Sequence, residues 1–354
     1  MKYIDMHCDS VMLAKFLDKE HSLYSSENLM VDFKKMQKGE AMAQCFAVFM
    51  PSEDAWGRFG VDKMDDDDYI SRARQIILDN VAAHGDIINM AYSADDIVAN
   101  DRAGKMSAVL TMEDGRAVQG KLENLKRYYD MGFRALSLTW NYHNCFGAPN
   151  SKDPAVMAQG LTDFGKEAVE YMQELGIAID VSHLSRGGFW DVAKICKKPF
   201  IATHSNAYEL SPHQRNLKDE QIKALAAAGG VTGLNFCPQF LQPDTVSNVS
   251  TAELLAKHAR HIADVGGVDV VGIGSDFDGI EGKLEISDAS KMQMLADALL
   301  KEKFTYDEIE KIFYKNVFVK NKAVLNIAAL FWFISVYLIG FMWGKIKCPN
   351  LRLL

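Results

Sequence analysis

Residues 177–205, IAIDVSHLSRGGFWDVAKICKKPFIATHS, contain two short apolar runs with a helix-like segment between them. Ile177 to Val181 reads as a buried strand that ends at Ser182-His183, and Gly176 before it is a helix stop. Arg186 to Cys196 has helical character, and Phe200 to Ala202 is a second strand that ends at Thr203-His204-Ser205. Strand, helix, strand in that order implies a parallel pair. The same unit recurs on either side. Further strand candidates are Tyr3 to Met6, Ala41 to Met50, Ser107 to Met112, Arg134 to Thr139, Val231 to Phe236 and Val270 to Gly274. Helical segments at Tyr69–Ala83, Leu122–Met131, Thr162–Leu175, Asp219–Ala228, Thr251–Val265 and Asp288–Lys301 fall between or after them. Eight strands in alternation with helices suit a closed (β/α)8 TIM-like barrel, which commonly takes about 250 residues plus insertions. A doubly wound open sheet is the alternative, but no Gly-x-Gly-x-x-Gly or Walker sequence follows the first strand.

The strand ends are polar in a repeating way. His7 and Asp9 close the first strand, and side chains two apart on a strand face the same direction. Glu113, His183, His204 and Asp276 close later strands. Each has an ordinary structural reading, as a helix cap or a hydrogen-bonded core histidine. A barrel brings all these ends to one face, where three histidines and three carboxylates suffice for two divalent metals. The acidic run Asp65–Asp68 reads instead as a solvated helix N-terminus.

The chain has 354 residues, 48% hydrophobic and 24% charged, the balance of a globular protein. A net charge of −8 argues against a nucleic-acid partner. The six cysteines form no C-x-x-C pair, so neither a zinc ribbon nor a redox dithiol is indicated. A strand that begins almost at Met1 leaves no room for a signal peptide, and the expectation is a cytoplasmic barrel in a reducing compartment.

The segments DMHCDS, TMEDG, DVSHLS, ATHSN, HQRN and GIGSDFDG resemble, in order, the motifs of the membrane dipeptidase (renal dipeptidase) family of zinc-dependent, amidohydrolase-like enzymes. The likeness runs from Met1 to about Asn316. It implies a (β/α)8 barrel with two zinc ions that hydrolyses dipeptides to free amino acids through a metal-bridging hydroxide. By motif, His7 and Asp9 would bind one zinc, His183 and His204 the other, and Glu113 would bridge them. Asp276 would carry the proton from water to the leaving amine, and Arg215 would take the substrate carboxylate through a two-pronged contact. The partners so implied are a small dipeptide and, as one assembly open to the chain, a second copy in a homodimer.

Two departures stand out. Family members with Leu-Thr-His after the fourth strand use that histidine on substrate. Here Trp140 occupies its position, and His143, three residues on, is the candidate replacement. From about Val317 the likeness stops. The barrel is therefore assigned to 1–318 and a hydrophobic tail to 319–354. Within the tail, Val324 to Trp343 is 20 residues without a charge, flanked by lysines, and reads either as a transmembrane segment or as a sequence end alien to the fold.

Three functions compete at this level: a dinuclear zinc dipeptidase, another amidohydrolase such as a deaminase or lactonase, and a membrane-tethered, non-catalytic barrel. Many other amidohydrolases use His-x-His on the first strand and a carboxylated lysine as the bridge. His-x-Asp with a glutamate in that place favours the dipeptidase, and by motif no metal ligand is missing.

Overall fold

The computed structural model describes residues 1–17, 22–52, 56–57, 62–243 and 248–317. The chain opens on β1 (Tyr3–Cys8), buried at every position, which leads straight into α1 (Ser10–Leu17). Then come α2 (Phe33–Lys38), β2 (Ala41–Phe49), α3 (Asp66–Ala83), β3 (Ile88–Met90), α4 (Ala94–Arg102) and β4 (Met106–Glu113). They are followed by α5 (Leu122–Asp130), β5 (Phe133–Ser137), α6 (Pro154–Met157), α7 (Asp163–Leu175), β6 (Ala178–Asp180) and α8 (Arg186–Ile195). The later elements are β7 (Ile201–Ala202), α9 (Asp219–Ala227), β8 (Val231–Leu234), β9 (Val249–Ser250), α10 (Ala252–Gly266) and β10 (Val271–Ile273). The last are β11 (Lys283–Leu284), α11 (Gln293–Lys301) and α12 (Tyr306–Glu310), which runs into a π-helical turn at Lys311–Lys315.

Eight parallel strands close on themselves in the order β1-β2-β4-β5-β6-β7-β8-β10, with β10 back beside β1. Strands buried on both faces need no polar alternation, which is why β2 reads AMAQCFAVF. The barrel expected from the sequence is thus the fold observed. β3 was not foreseen. It pairs with the first residues of β4 (Ile88 with Met106, Met90 with Ala108), before β5 joins β4 at Leu110. Three residues and the nine-residue helix after them are too short to stand out by periodicity.

The helices form where capping and apolar spacing agree. In α7 the Thr162 side chain accepts from Gly165 N at 2.9 Å, and Ala168, Val169 and Met172 face the barrel. Gly176 ends the helix at φ 85°, a conformation only glycine adopts freely. The acidic run behaves as expected: Asp65 caps α3, Asp66 pairs with Arg116 at 3.0 Å and Asp67 with Arg127 at 2.7 Å. Where a single helix over 288–301 was expected, a 3₁₀ turn at Ala289–Lys291 precedes α11. Val324–Trp343 and the rest of 318–354 lie outside the described residues. Among those described, no helix is long and apolar enough to cross a membrane.

Candidate metal centre

The C-terminal strand ends meet at one face of the barrel. His7 lies within β1 and Asp9 just beyond it, and Glu113 is the last residue of β4. His183, His204 and Asp276 follow β6, β7 and β10 by two or three residues. All six are buried. Two of them, His183 (φ 67°) and Asp276 (φ 62°), hold the left-handed backbone conformation that non-glycine residues rarely adopt, which is a frequent feature of functional sites.

Three ligand groups form here, and two of them share Glu113. The donor atoms of His7, Asp9 and Glu113 lie within 4.8 Å of one another, as do those of Glu113, His183 and His204. Glu113 faces both ways: Oε2 is 3.5 Å from His7 Nε2, while Oε1 is 3.0 Å from His183 Nε2 and 3.6 Å from His204 Nε2. His7 Nε2 is also 3.5 Å from Asp9 Oδ2, and its ring stacks on His204 with centroids 3.9 Å apart.

The donor set fits a metal on several counts. His7 Nε2 and Asp9 Oδ1 are buried with no hydrogen-bond partner, which is costly unless something fills the space. The Nε2 atoms of His183 and His204 face each other at 3.1 Å. Burial, reinforced by neighbouring cations, holds both rings well below the usual imidazole range, so they are neutral donors. Three buried carboxylates converge on one spot. Burial lifts Glu113 to about 7 and Asp276 to about 6, with Asp9 adding to both shifts. Burial would lower His7, but Glu113 and Asp9 hold it well above its ordinary value. Buried negative charge of this density calls for a cation.

Asp276 is aimed by a neighbour that sequence reading passed over. Asn235, the residue after β8, donates from Nδ2 to Asp276 Oδ2 at 2.8 Å and leaves Oδ1 3.8 Å from His7 Nε2. A polar residue at yet another strand end was the available signal. Asp276 also shares a group with His7 and His204, so its position alone allows ligation as well as proton transfer.

A cavity of about 910 Å³ opens over the centre, lined by Asp9, Glu113, His183 and Asp276 together with Phe49, Trp140 and Phe240. Trp140 packs edge-on against Phe49 at 4.8 Å, and Asn141 beside it holds His183 Nδ1 at 3.2 Å. The structure does not bring His143 to this cavity. It is exposed, with Nε2 3.0 Å from Gln159 Oε1, because the chain turns outward after Asn141. Arg215 is buried beside His183, with its guanidinium 5.6 Å from the Phe240 ring. Its contacts are a 3.5 Å bond to Ser205 Oγ and a 3.3 Å bond to the His204 carbonyl, and its Nε has no partner.

A closed (β/α)8 barrel with His, Asp and Glu side chains massed at the C-terminal strand ends defines a metal-dependent hydrolase. Within that class the chain belongs to the membrane dipeptidase family, peptidase family M19, which matches residues 1–329. It is a peptide-bond hydrolase that acts on dipeptides with the help of a metal. An uncharacterised dipeptidase of Schizosaccharomyces pombe is 31% identical over 335 residues, 89% of this chain and 79% of that protein. A metallopeptidase of Rhodobacter sphaeroides, solved with a phosphinate mimic of the dipeptide L-Ala-D-Ala, superposes with a TM-score of 0.81 at 25% identity, over 92% of this chain and 99% of its own. Dipeptidase AC, a metallopeptidase of family M19, superposes at 0.82 with the same identity and coverage.

Proposed function

We propose that the chain is a dinuclear zinc dipeptidase. His7 and Asp9 would hold one ion, His183 and His204 the other, and Glu113 would serve both. The observation that carries this reading is the split of the Glu113 carboxylate, with Oε2 toward His7 and Oε1 toward His183 and His204. A carboxylate can serve two cations at once, whereas a neutral imidazole offers one lone pair. A nitrogen and oxygen donor set suits zinc.

Zinc bound there would supply a Lewis acid for the scissile carbonyl and a water of lowered pKa. The chain's own groups do the rest. Asp276, fixed through Oδ2 by Asn235, presents Oδ1 to the centre, where it takes a proton from the attacking water and returns it to the leaving amine. Arg215 binds the C-terminal carboxylate of the dipeptide. Among the described residues it has no ion-pair partner, and a substrate carboxylate would satisfy its unused donors.

The test is metal content together with amino-acid release from a panel of dipeptides. Purified protein should hold about two zinc equivalents, as a two-metal site requires. Chelation should abolish turnover, and Glu113→Gln should lower occupancy and activity together. Full activity in a metal-free preparation would overturn the reading.

A further inference from the structure

We propose that Asp180 is a positioning residue for metal binding: acting through the Thr203 hydroxyl, it holds His204 as its Nδ1–H tautomer and leaves the Nε2 lone pair free for the metal. The inference rests on the reading of His204 as a ligand.

Asp180 ends β6, is buried, and belongs to none of the ligand groups. Four donors converge on its two oxygens. Ser182 N and Thr203 N reach Oδ1, both at 2.9 Å. Ser137 Oγ and Thr203 Oγ1 reach Oδ2, both at 2.6 Å. An ionised carboxylate only accepts, and a threonine hydroxyl has a single proton. Once that proton points at Asp180, Thr203 Oγ1 offers only lone pairs to the group on its other side. That group is His204 Nδ1, at 2.7 Å. The ring must then donate from Nδ1, because the opposite tautomer would set lone pair against lone pair at this distance. Nε2 is left bare, directed at Glu113 Oε1 and His183 Nε2.

The chain of bonds is directional because it starts on a carboxylate whose two oxygens already accept from four donors. The other imidazole of the pair lacks this property. His183 Nδ1 meets the side-chain amide of Asn141, which can present either its oxygen or its nitrogen by rotation. Asp5, the matching buried carboxylate on β1, accepts from Ser275 N at 2.9 Å and Ser275 Oγ at 2.6 Å, but the other neighbour of that hydroxyl, 3.3 Å away, is the His7 carbonyl, an acceptor with no tautomer to fix. Of these three arrangements, only the Asp180–Thr203 pair fixes a tautomer.

Asp180 also ties the ends of β5, β6 and β7 together, so the test must read the tautomer and not merely stability. In the full-length, metal-free chain labelled with ¹⁵N-histidine, the His204 resonances, assigned with His204→Gln, should show a protonated Nδ1 and a bare Nε2. In Asp180→Asn the new amide can donate to Thr203, which frees the hydroxyl proton to turn to His204, and an Nε2–H population should appear. Zinc affinity by chelator competition should fall about 10–100-fold in Thr203→Val and stay within about threefold in Thr203→Ser. A dominant Nε2–H tautomer in the unsubstituted chain would overturn the inference even if no variant folds, and so would unweakened zinc binding by Thr203→Val. If His204→Gln still holds two zinc ions, the ligand reading itself fails; if His204→Gln loses zinc while Thr203→Val does not, only the role of Asp180 does.

Discussion

At the scale of single residues, the proposed roles of Asp276 and Arg215 separate cleanly. Asp276→Asn keeps the Asn235 contact within reach but removes the base, so kcat should drop by about 10²–10⁴ with zinc content nearly intact. Loss of zinc in proportion to activity would make Asp276 a ligand, a role its grouping with His7 and His204 permits. Arg215 should make the enzyme read a free carboxylate one residue past the scissile bond. Dipeptide amides should be poorer substrates by about 10²-fold, since they leave a buried guanidinium without its partner. Arg215→Ala should lower kcat/KM for dipeptides and narrow that gap, and Arg215→Lys should restore only part of it. Equal rates on a dipeptide and its amide would remove Arg215 from this role. His258 offers a prediction about stability. Its Nδ1 accepts from Ala207 N at 3.1 Å, its Nε2 lies 3.1 Å from the Leu241 carbonyl, and burial, with a smaller push from His261, lowers it to about 4. The unfolded chain would protonate this ring near 6.5 and the folded chain only near 4, so the contribution is intact above pH 6.5 and is lost as pH falls toward 4. The loss should be about 2–3 kcal/mol at pH 4.5. Urea unfolding at pH 7 and pH 4.5 should show that extra loss in the unsubstituted chain and not in His258→Gln. Equal acid losses in the two would disprove it.

At the scale of elements, the narrow side of the barrel sets the tolerance of the centre. β7 has two residues and β10 three, and β8 between them meets both through backbone at Gly233, where a Cβ would strike the Thr203 carbonyl and the Gly274 backbone. A Cβ added at Gly274, just past β10, would run into the Thr203 carbonyl and the backbone of Gly233. Thr203 precedes a proposed ligand and Gly274 stands two residues before Asp276, so strain there reaches both. Gly274→Ala should cost about 3 kcal/mol of stability and reduce zinc occupancy. Gly85→Ala is the control, its new methyl no closer than 3.8 Å to the Ala82 carbonyl, and should be nearly silent. Similar unfolding midpoints for the two variants would show that the strand ends can yield. Five of the eight barrel strands announced themselves as apolar runs closed by His, Asp or Glu, whereas β3, at three residues, had neither the length nor such a terminus, and α4 has only nine residues.

At the scale of the whole molecule, every proposed site residue stands at or before Asp276, and the described structure runs to residue 317. The division into a barrel over 1–318 and a tail over 319–354 is therefore a proposal about autonomy. Truncation after Asn321 should leave a chain with unchanged kcat/KM on dipeptides and unchanged zinc content. A truncated chain without activity would mean that residues beyond 321 complete the barrel, an outcome to weigh because the family match extends to 329. Fractionation of the full-length chain, with carbonate extraction, tests the tail as an anchor.

The amino-acid sequence alone determined that this protein is a (β/α)8 barrel and that His7, Asp9, Glu113, His183, His204 and Asp276 share one face. Alternation and chain order, joined to the order of the family motifs, led to that reading, because a closed parallel barrel places all its C-terminal strand ends together. Whether neighbouring strand ends touch, and through which atoms, was decided only by the tertiary structure. It set Asn235 on Asp276, aligned Asp180, Thr203 and His204 in one line of hydrogen bonds, and left Arg215 without a direct ion-pair partner among the described residues. It also turned His143 out to solvent and left Trp140 and Asn141 at the cavity. Register and loop path govern those contacts. They depend on how a whole barrel packs, and spacing along the chain does not encode them.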